Sequence, residues 1–189
     1  MQQQPLLQIS ETETMFLYEY IPWRLTKRRN EITGLILDFK NDYPYAIEKV
    51  KADMILAFGQ MAMVLKEQWQ CRYIVAIPSS RAGIRNEPCE QVCEALASVF
   101  PWLTYLEGAL ERVSSVPKSS RSEPGMRPNY ATHFNSIRFT QKIDATGKTI
   151  IMLDDIITRG ETSKACRDIL LSATCCRSVL GLFVGKTVS

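Results

Sequence analysis

The sequence predicts an α/β fold, a mostly parallel twisted sheet flanked by helices, with a helical addition at the N-terminus. Three observations lead to it. Apolar runs of strand length alternate with helix-length amphipathic stretches from about residue 71 onward, and strands alternating with helices pair in parallel through right-handed crossovers. Residues 149–153, TIIML, are apolar on both faces, as a central parallel strand covered on each side must be. Residues 73–77, YIVAI, repeat that pattern and end in a small-residue turn.

In chain order, residues 1–13 are a variable polar start, followed by helices near 30–40 and 46–68. In the second helix Ile47, Val50, Met54, Ile55, Phe58, Met61, Ala62 and Leu65 recur at helical spacing. Glu48, Lys49, Lys51 and Asp53 interrupt it, so it is an amphipathic helix and not a membrane span. A strand is expected at 73–77, a helix at 87–99 and a strand at 103–106. An irregular stretch at 111–138 follows, then the strand from 149, a helix over 161–171 and a last strand over 178–184. Residues 1–70 read as a helical extension on a core formed by 71–189, the whole treated as one compact domain.

Composition fits a single globular domain. The 189 residues are 46% hydrophobic and 23% charged, with a formal net charge of +3. That charge suits a polyphosphate ligand and does not indicate nucleic acid, which calls for a denser basic face. Lys27, Arg28 and Arg29 form the tightest basic cluster and read as a solvated helix start. No segment reads as a secretion signal or membrane anchor, so the expected compartment is the cytoplasm. The six cysteines lack metal-ligand spacing and are expected as reduced, mostly buried thiols.

The chemistry gathers at the end of the strand beginning at 149. Asp154 and Asp155 stand at its carboxyl end, where open α/β sheets hold ligands. A buried strand has no structural use for two adjacent carboxylates, whose desolvation is costly. Thr158, Gly160 and Thr162 then supply hydroxyls and a residue free to take positive φ, the makings of an anion-binding turn. The following helix adds its positive end. Acids beside an anion nest suit a ligand carrying both hydroxyls and phosphate, and a ribose 5-phosphate fits. Upstream, Ser79, Ser80 and Arg81 offer donors for a second phosphate group. Gly147-Lys148-Thr149 looks like the end of a Walker A loop, but Lys142 stands where that motif needs glycine and the triplet precedes a strand instead of following one.

The stretch IIMLDDIITRGET, residues 150–162, resembles the signature of type I phosphoribosyltransferases, which bind 5-phosphoribosyl-1-pyrophosphate (PRPP) with Mg²⁺. The resemblance implies that the catalytic acids Asp154 and Asp155 hold the ribose hydroxyls. It gives the 5-phosphate to Ile157, Thr158, Arg159, Gly160, Glu161 and Thr162, and the pyrophosphate to Ser79, Ser80 and Arg81. Mg²⁺ would be held mainly through PRPP, near Asp154 and Asp155. Within residues 111–138, Ser, Pro and Gly accompany Arg112, Lys118, Arg121, Arg127, Asn129 and Arg138, and the stretch reads as a cationic lid closing over the leaving group. His133 is the lone histidine. It reads as an acid or base on the lid, or as a structural residue.

Leu110-Glu111-Arg112, the basic insert, Arg127, and Asn129 with Phe134 resemble the competence protein F (ComF-like) subgroup, as does the helix segment LILDFK ending at Lys40. Two departures stand out: no Cys-x-x-Cys pair occurs, and RNEPCEQ at 85–91 replaces the usual Arg-Gly-Phe-Asn-Gln segment. The Arg159-Gly160 pair is similar to one in glutamine phosphoribosylpyrophosphate amidotransferases, but with Met1-Gln2-Gln3 at its start in place of the glutaminase cysteine, amidotransferase activity is not expected. The expected activity is transfer of phosphoribosyl from Mg–PRPP to a small-molecule nitrogen acceptor, a nucleobase in much of the family. The first seventy residues are candidates for the acceptor hood, and a homodimer is left open. The alternative is a PRPP sensor or accessory protein, in DNA uptake or another DNA-linked process, that binds without transferring.

Overall fold

The structure is a computed structural model describing residues 5–10, 14–22, 30–117 and 128–188. Strands β1 (Gln8–Ser10) and β2 (Thr14–Tyr20) come first, then helices α1 (Glu31–Lys40) and α2 (Pro44–Met63), the latter running on as a π-helical turn over Val64–Gln68. Strand β3 (Cys71–Ala76), helix α3 (Glu87–Val99) and strands β4 (Thr104–Tyr105) and β5 (Leu110–Arg112) follow. Next come α4 (Tyr130–Ser136), β6 (Ile137–Phe139), β7 (Thr149–Ile157), α5 (Glu161–Thr174) and β8 (Ser178–Thr187). The main sheet has the order β1-β2-β8-β7-β3-β4, with every pairing parallel except β1 with β2; β5 and β6 make a separate antiparallel pair.

Local chemistry sets the helix limits. Asn30 caps α1, its side-chain oxygen accepting from the Thr33 N–H at 2.6 Å. Proline stands in the first turn of α2 and of α3, where its missing N–H costs nothing. Cys175 ends α5 in the left-handed conformation.

The buried residues of β7 divide between the two faces as strand alternation requires. Ile151 and Leu153 join a core with α1, α2 and α3 that includes Ile36, Phe39, Val50, Phe58 and Val92. Ile150 and Met152 join a second core with Cys166, Ile169 and Leu170 of α5 and with Leu110 and Ile137 of the β5–β6 pair. The expectation that the strand is covered on both sides therefore holds.

The N-terminal stretch differs from its reading as a polar start followed by helices alone. It contributes β1 and β2, and β2 pairs in parallel with β8, the last strand of the chain. Residues 14–20, TMFLYEY, are rich in the aromatic and apolar residues that strands favour, and the pairing that stabilises them comes from the far end of the sequence. Strands β7 and β8 run on past their expected ends, to Ile157 and Thr187, and β4 is shorter than expected. The stretch read as a lid is partly regular, holding most of β5, α4 and the start of β6; Lys118, Arg121 and Arg127 lie outside the described residues, as do Lys27, Arg28 and Arg29. Among the described residues no helix is long and apolar enough to cross a membrane, and the cysteines are free, all buried except Cys175.

Helix α1 lies close on β8. A Cβ on Gly185 would stand 2.9 Å from Ile36 Cδ1 and 3.3 Å from Tyr20 Cβ, and Ile36 is fully buried, so the two must shift against packed neighbours. Gly185→Ala is expected to destabilise the protein by roughly 1 to 3 kcal/mol through overpacking. Ile36→Val in the same chain, which removes the clashing methyl, should recover part of that loss in urea unfolding.

Candidate functional site at the carboxyl edge of the sheet

Strands β3 and β7 pair as far as Ala76 opposite Leu153, and the Ile77 N–H still donates to the Leu153 carbonyl at 2.8 Å. From β3 the chain proceeds to β4 on one side and later returns as β7 on the other, so the crevice between β3 and β7 is a topological switch point. The turn carrying Ser79, Ser80 and Arg81 leaves β3 on one side of it. The acids and the loop from Ile157 to Thr162 leave β7 on the other.

The acids point opposite ways. Asp154 follows Ile150 and Met152 toward the α5 face, and its Oδ1 accepts from Asn86 Nδ2 at 3.3 Å and from the Asp155 N–H at 2.9 Å. Asn86, just before α3, also donates to the Ile77 carbonyl at 3.1 Å and so ties the end of β3 to Asp154. Asp155 turns toward α1. Its Oδ1 accepts from the Ile156 N–H at 2.6 Å and its Oδ2 takes the Lys40 ammonium. Burial, and then the neighbouring Asp155 charge, push the Asp154 carboxyl up to about 7. Burial works against the Lys40 ammonium, but pairing with Asp155 outweighs it and raises the lysine above its ordinary value. The Cys89 and Cys166 thiols, shielded from water and facing this negative charge, are held well up and stay protonated.

The loop after β7 shapes a pocket. It is lined by Asp154, by each residue from Ile156 to Ser163, and by Pro128, His133 and Phe183. Gly160 takes φ +75° at the N-cap of α5, a conformation that glycine alone adopts at little cost. Its carbonyl accepts from Ser163 Oγ at 2.9 Å and from the Lys164 N–H at 2.8 Å, so the first N–H groups of α5 are left for the pocket. All six residues expected to hold a 5-phosphate thus lie together. Asp155 is not among the lining residues.

Ser79, Ser80 and Arg81 do not line this pocket. Their turn is held from behind by the segment after β5: the Val116 N–H donates to the Ser80 carbonyl at 2.9 Å and the Ala82 N–H to Ser115 Oγ at 2.9 Å. Arg112, read as a lid cation, is instead a strut with 2% exposure. Its Nε donates to the Ser79 carbonyl at 2.6 Å and its Nη1 to Ser136 Oγ at 2.6 Å. Among the described residues it has no carboxylate ion pair. Ser136 sits at the end of α4, and one turn back the buried His133 ring comes within 3.3 Å of Thr162 Oγ1. Burial, and then Arg112, lower the histidine below its ordinary value, so it stands there as neutral imidazole at pH 7. The two loops are therefore joined through Arg112, Ser136 and His133. Asn129 caps α4, accepting from the Thr132 N–H at 3.0 Å. Arg159 lines the pocket and has no ion pair among the described residues.

Lys40 and Asn86 are the site residues that sequence reasoning passed over. Lys40 closes the LILDFK segment, whose resemblance was noted without a role for the lysine. Asn86 lies in the segment that departs from the family pattern.

No family model matches the chain, and no curated protein matches it. Aligned on structure, the chain is similar to adenine phosphoribosyltransferase from Leishmania tarentolae, with a TM-score of 0.47 and 8% identity over 95% of this chain and 94% of that one. It is similar also to adenine phosphoribosyltransferase from Leishmania donovani, with a TM-score of 0.42 and 10% identity over 95% of this chain and 86% of that one. At that level the likeness carries no argument of its own, and function has to be read from the site.

The raised Asp154 carboxyl has a consequence for stability. Its folded-state pKa, about 7, lies above the ordinary 3.8, so the fold binds a proton that the unfolded chain has released. Stability of the ligand-free protein then falls as pH rises between these values, and the cost is fully present above 7. Asp154→Asn is expected to be more stable than wild type by about 1 to 3 kcal/mol at pH 8 and by little at pH 4. Denaturant titrations at the two pH values check the sign.

Proposed function

We propose that this protein binds Mg–PRPP and transfers its phosphoribosyl group to a small-molecule nitrogen acceptor, of nucleobase type, with release of pyrophosphate. The observation that carries the reading is the pocket in which Asp154 stands beside the complete loop Ile157 to Thr162 and the open end of α5. The loop N–H groups, Thr158 and Thr162 suit the 5-phosphate, and Asp154 is the acid placed to accept from a ribose hydroxyl. The turn of Ser79, Ser80 and Arg81, on the far side of the same crevice, suits the pyrophosphate. The ComF-like features belong to the same proposal.

Among the described residues no group of three or more His, Cys, Asp and Glu side chains gathers to hold a metal. Asp154, the acid that lines the pocket, fits Mg²⁺ that keeps several waters and takes its other oxygens from a polyphosphate. When bound there, Mg²⁺ would offset charge on the departing pyrophosphate. The chain's own part is to bind and align. The loop after β7 anchors the phosphate end of the sugar, Asp154 fixes the ring by a hydroxyl, and the turn after β3 holds the leaving group in line with the acceptor. Asn86 and Arg112 keep these three parts in register by bonding to Asp154, to the Ile77 carbonyl and to the Ser79 carbonyl.

Calorimetric titration with Mg–PRPP should show binding that Asp154→Asn weakens by roughly 10- to 100-fold, the loss of a charged hydrogen-bond acceptor. Pyrophosphate release in the presence of one base from a panel would identify the acceptor. Binding without release for any acceptor would favour a non-transferring PRPP sensor, and no binding by folded wild-type protein would sink the reading.

A further inference from the structure

The fold supports its two acids differently. Asp154 opens on the loop pocket, whereas Asp155 is turned to the opposite face and receives an ammonium from α1. Among the described residues Lys40 is the cation ion-paired with either acid. The lysine side chain is 43% exposed and that of Asp155 14%, so the pair lies at the rim of the sheet and is not sealed in the core.

The placement of Lys40 is built in. Thr33 Oγ1 donates to the Ile21 carbonyl at 3.1 Å, Ile36 and Phe39 are fully buried, and Gly185 leaves the space that lets α1 approach β8. These contacts anchor the helix without Lys40, yet they bring its last residue to the carboxyl end of β7, on the next strand over. There the Ile156 N–H holds one oxygen of Asp155 and the ammonium holds the other.

We infer that Lys40 is a positioning residue of the ligand site, through which the N-terminal segment holds Asp155 on the face away from the pocket and offsets its charge beside Asp154, the acid placed to bind a hydroxyl of a phosphorylated sugar. This rests on the function proposed above. Two adjacent carboxylates repel each other, and a polyphosphate ligand adds to the negative charge. A cation on the far side of Asp155 offsets that repulsion. It does so without filling the pocket, since neither Lys40 nor Asp155 lines it.

The test compares wild type with Lys40→Met, Lys40→Gln and Lys40→Arg by calorimetric titration with Mg–PRPP at one pH and ionic strength, beside thermal unfolding of each ligand-free protein. The two uncharged variants should bind about tenfold or more weakly, the effect of removing one nearby counter-charge. Their Tm should stay close to wild type, because the lysine end of the pair is 43% exposed and lies at the rim of the sheet. Lys40→Arg, which restores the cation, should bind within about threefold of wild type. Wild-type affinity in both uncharged variants would overturn the inference. So would tighter binding, which would make the lysine a competitor for Asp155, and so would failure of the arginine to rescue. If wild type itself does not bind, the phosphoribosyl reading falls and this inference with it. If wild type binds and the uncharged variants bind equally well, the inference alone falls.

Discussion

The arrangement of this molecule depends on one electrostatic constraint, the presence of two adjacent carboxylates at the end of a buried parallel strand. Desolvation and mutual repulsion both disfavour such a pair. Strand alternation sends the acids to opposite faces, and the two faces treat them differently. Asp155 meets the ammonium of Lys40, while Asp154 has amide donors, Asn86 and the Asp155 N–H, and keeps a carboxyl raised to about 7. Strain of this kind, retained where packing alone has no use for it, is what a binding site asks of a fold.

A second buried charge joins the parts. Arg112 has lost its water, and among the described residues it gains no carboxylate in exchange, only the Ser79 carbonyl and the Ser136 hydroxyl. Burial lowers the guanidinium from its ordinary value, the mark of a cation imperfectly compensated. A cation in this state costs stability unless something negative stands near, and Asp154 together with an anionic ligand in the crevice would supply that charge. The turn after β3 and the loop after β7 are thus held by one buried connection, and through His133 it reaches Thr162.

Helix α1 is the third part. It reaches the site because Gly185 lacks a side chain where Ile36 must lie, so a packing detail on β8 decides whether a charge arrives on β7. The N-terminal seventy residues, read from sequence as a helical cover, also add a strand to the main sheet and a cation to the acid pair.

Much of this was legible in the residues. The central strand, the helix after it, the helix at 87–99 and the glycine turn between strand and helix all follow from short-range signals: an apolar run, a proline in a first turn, a glycine free to take positive φ. Those signals act within a few residues. What the sequence could not determine were relations between distant segments. Strand β2 exists because β8 accepts it, Arg112 is a strut because Ser79 and Ser136 close around it, and the two acids, identical in sequence terms, differ because α5 covers one side of β7 and α1 the other. Chain sequence determined which chemical groups stand at the end of that strand. Tertiary packing decided which acid faces the pocket and which faces a lysine, because only packing sets the solvent and the partners that each group meets.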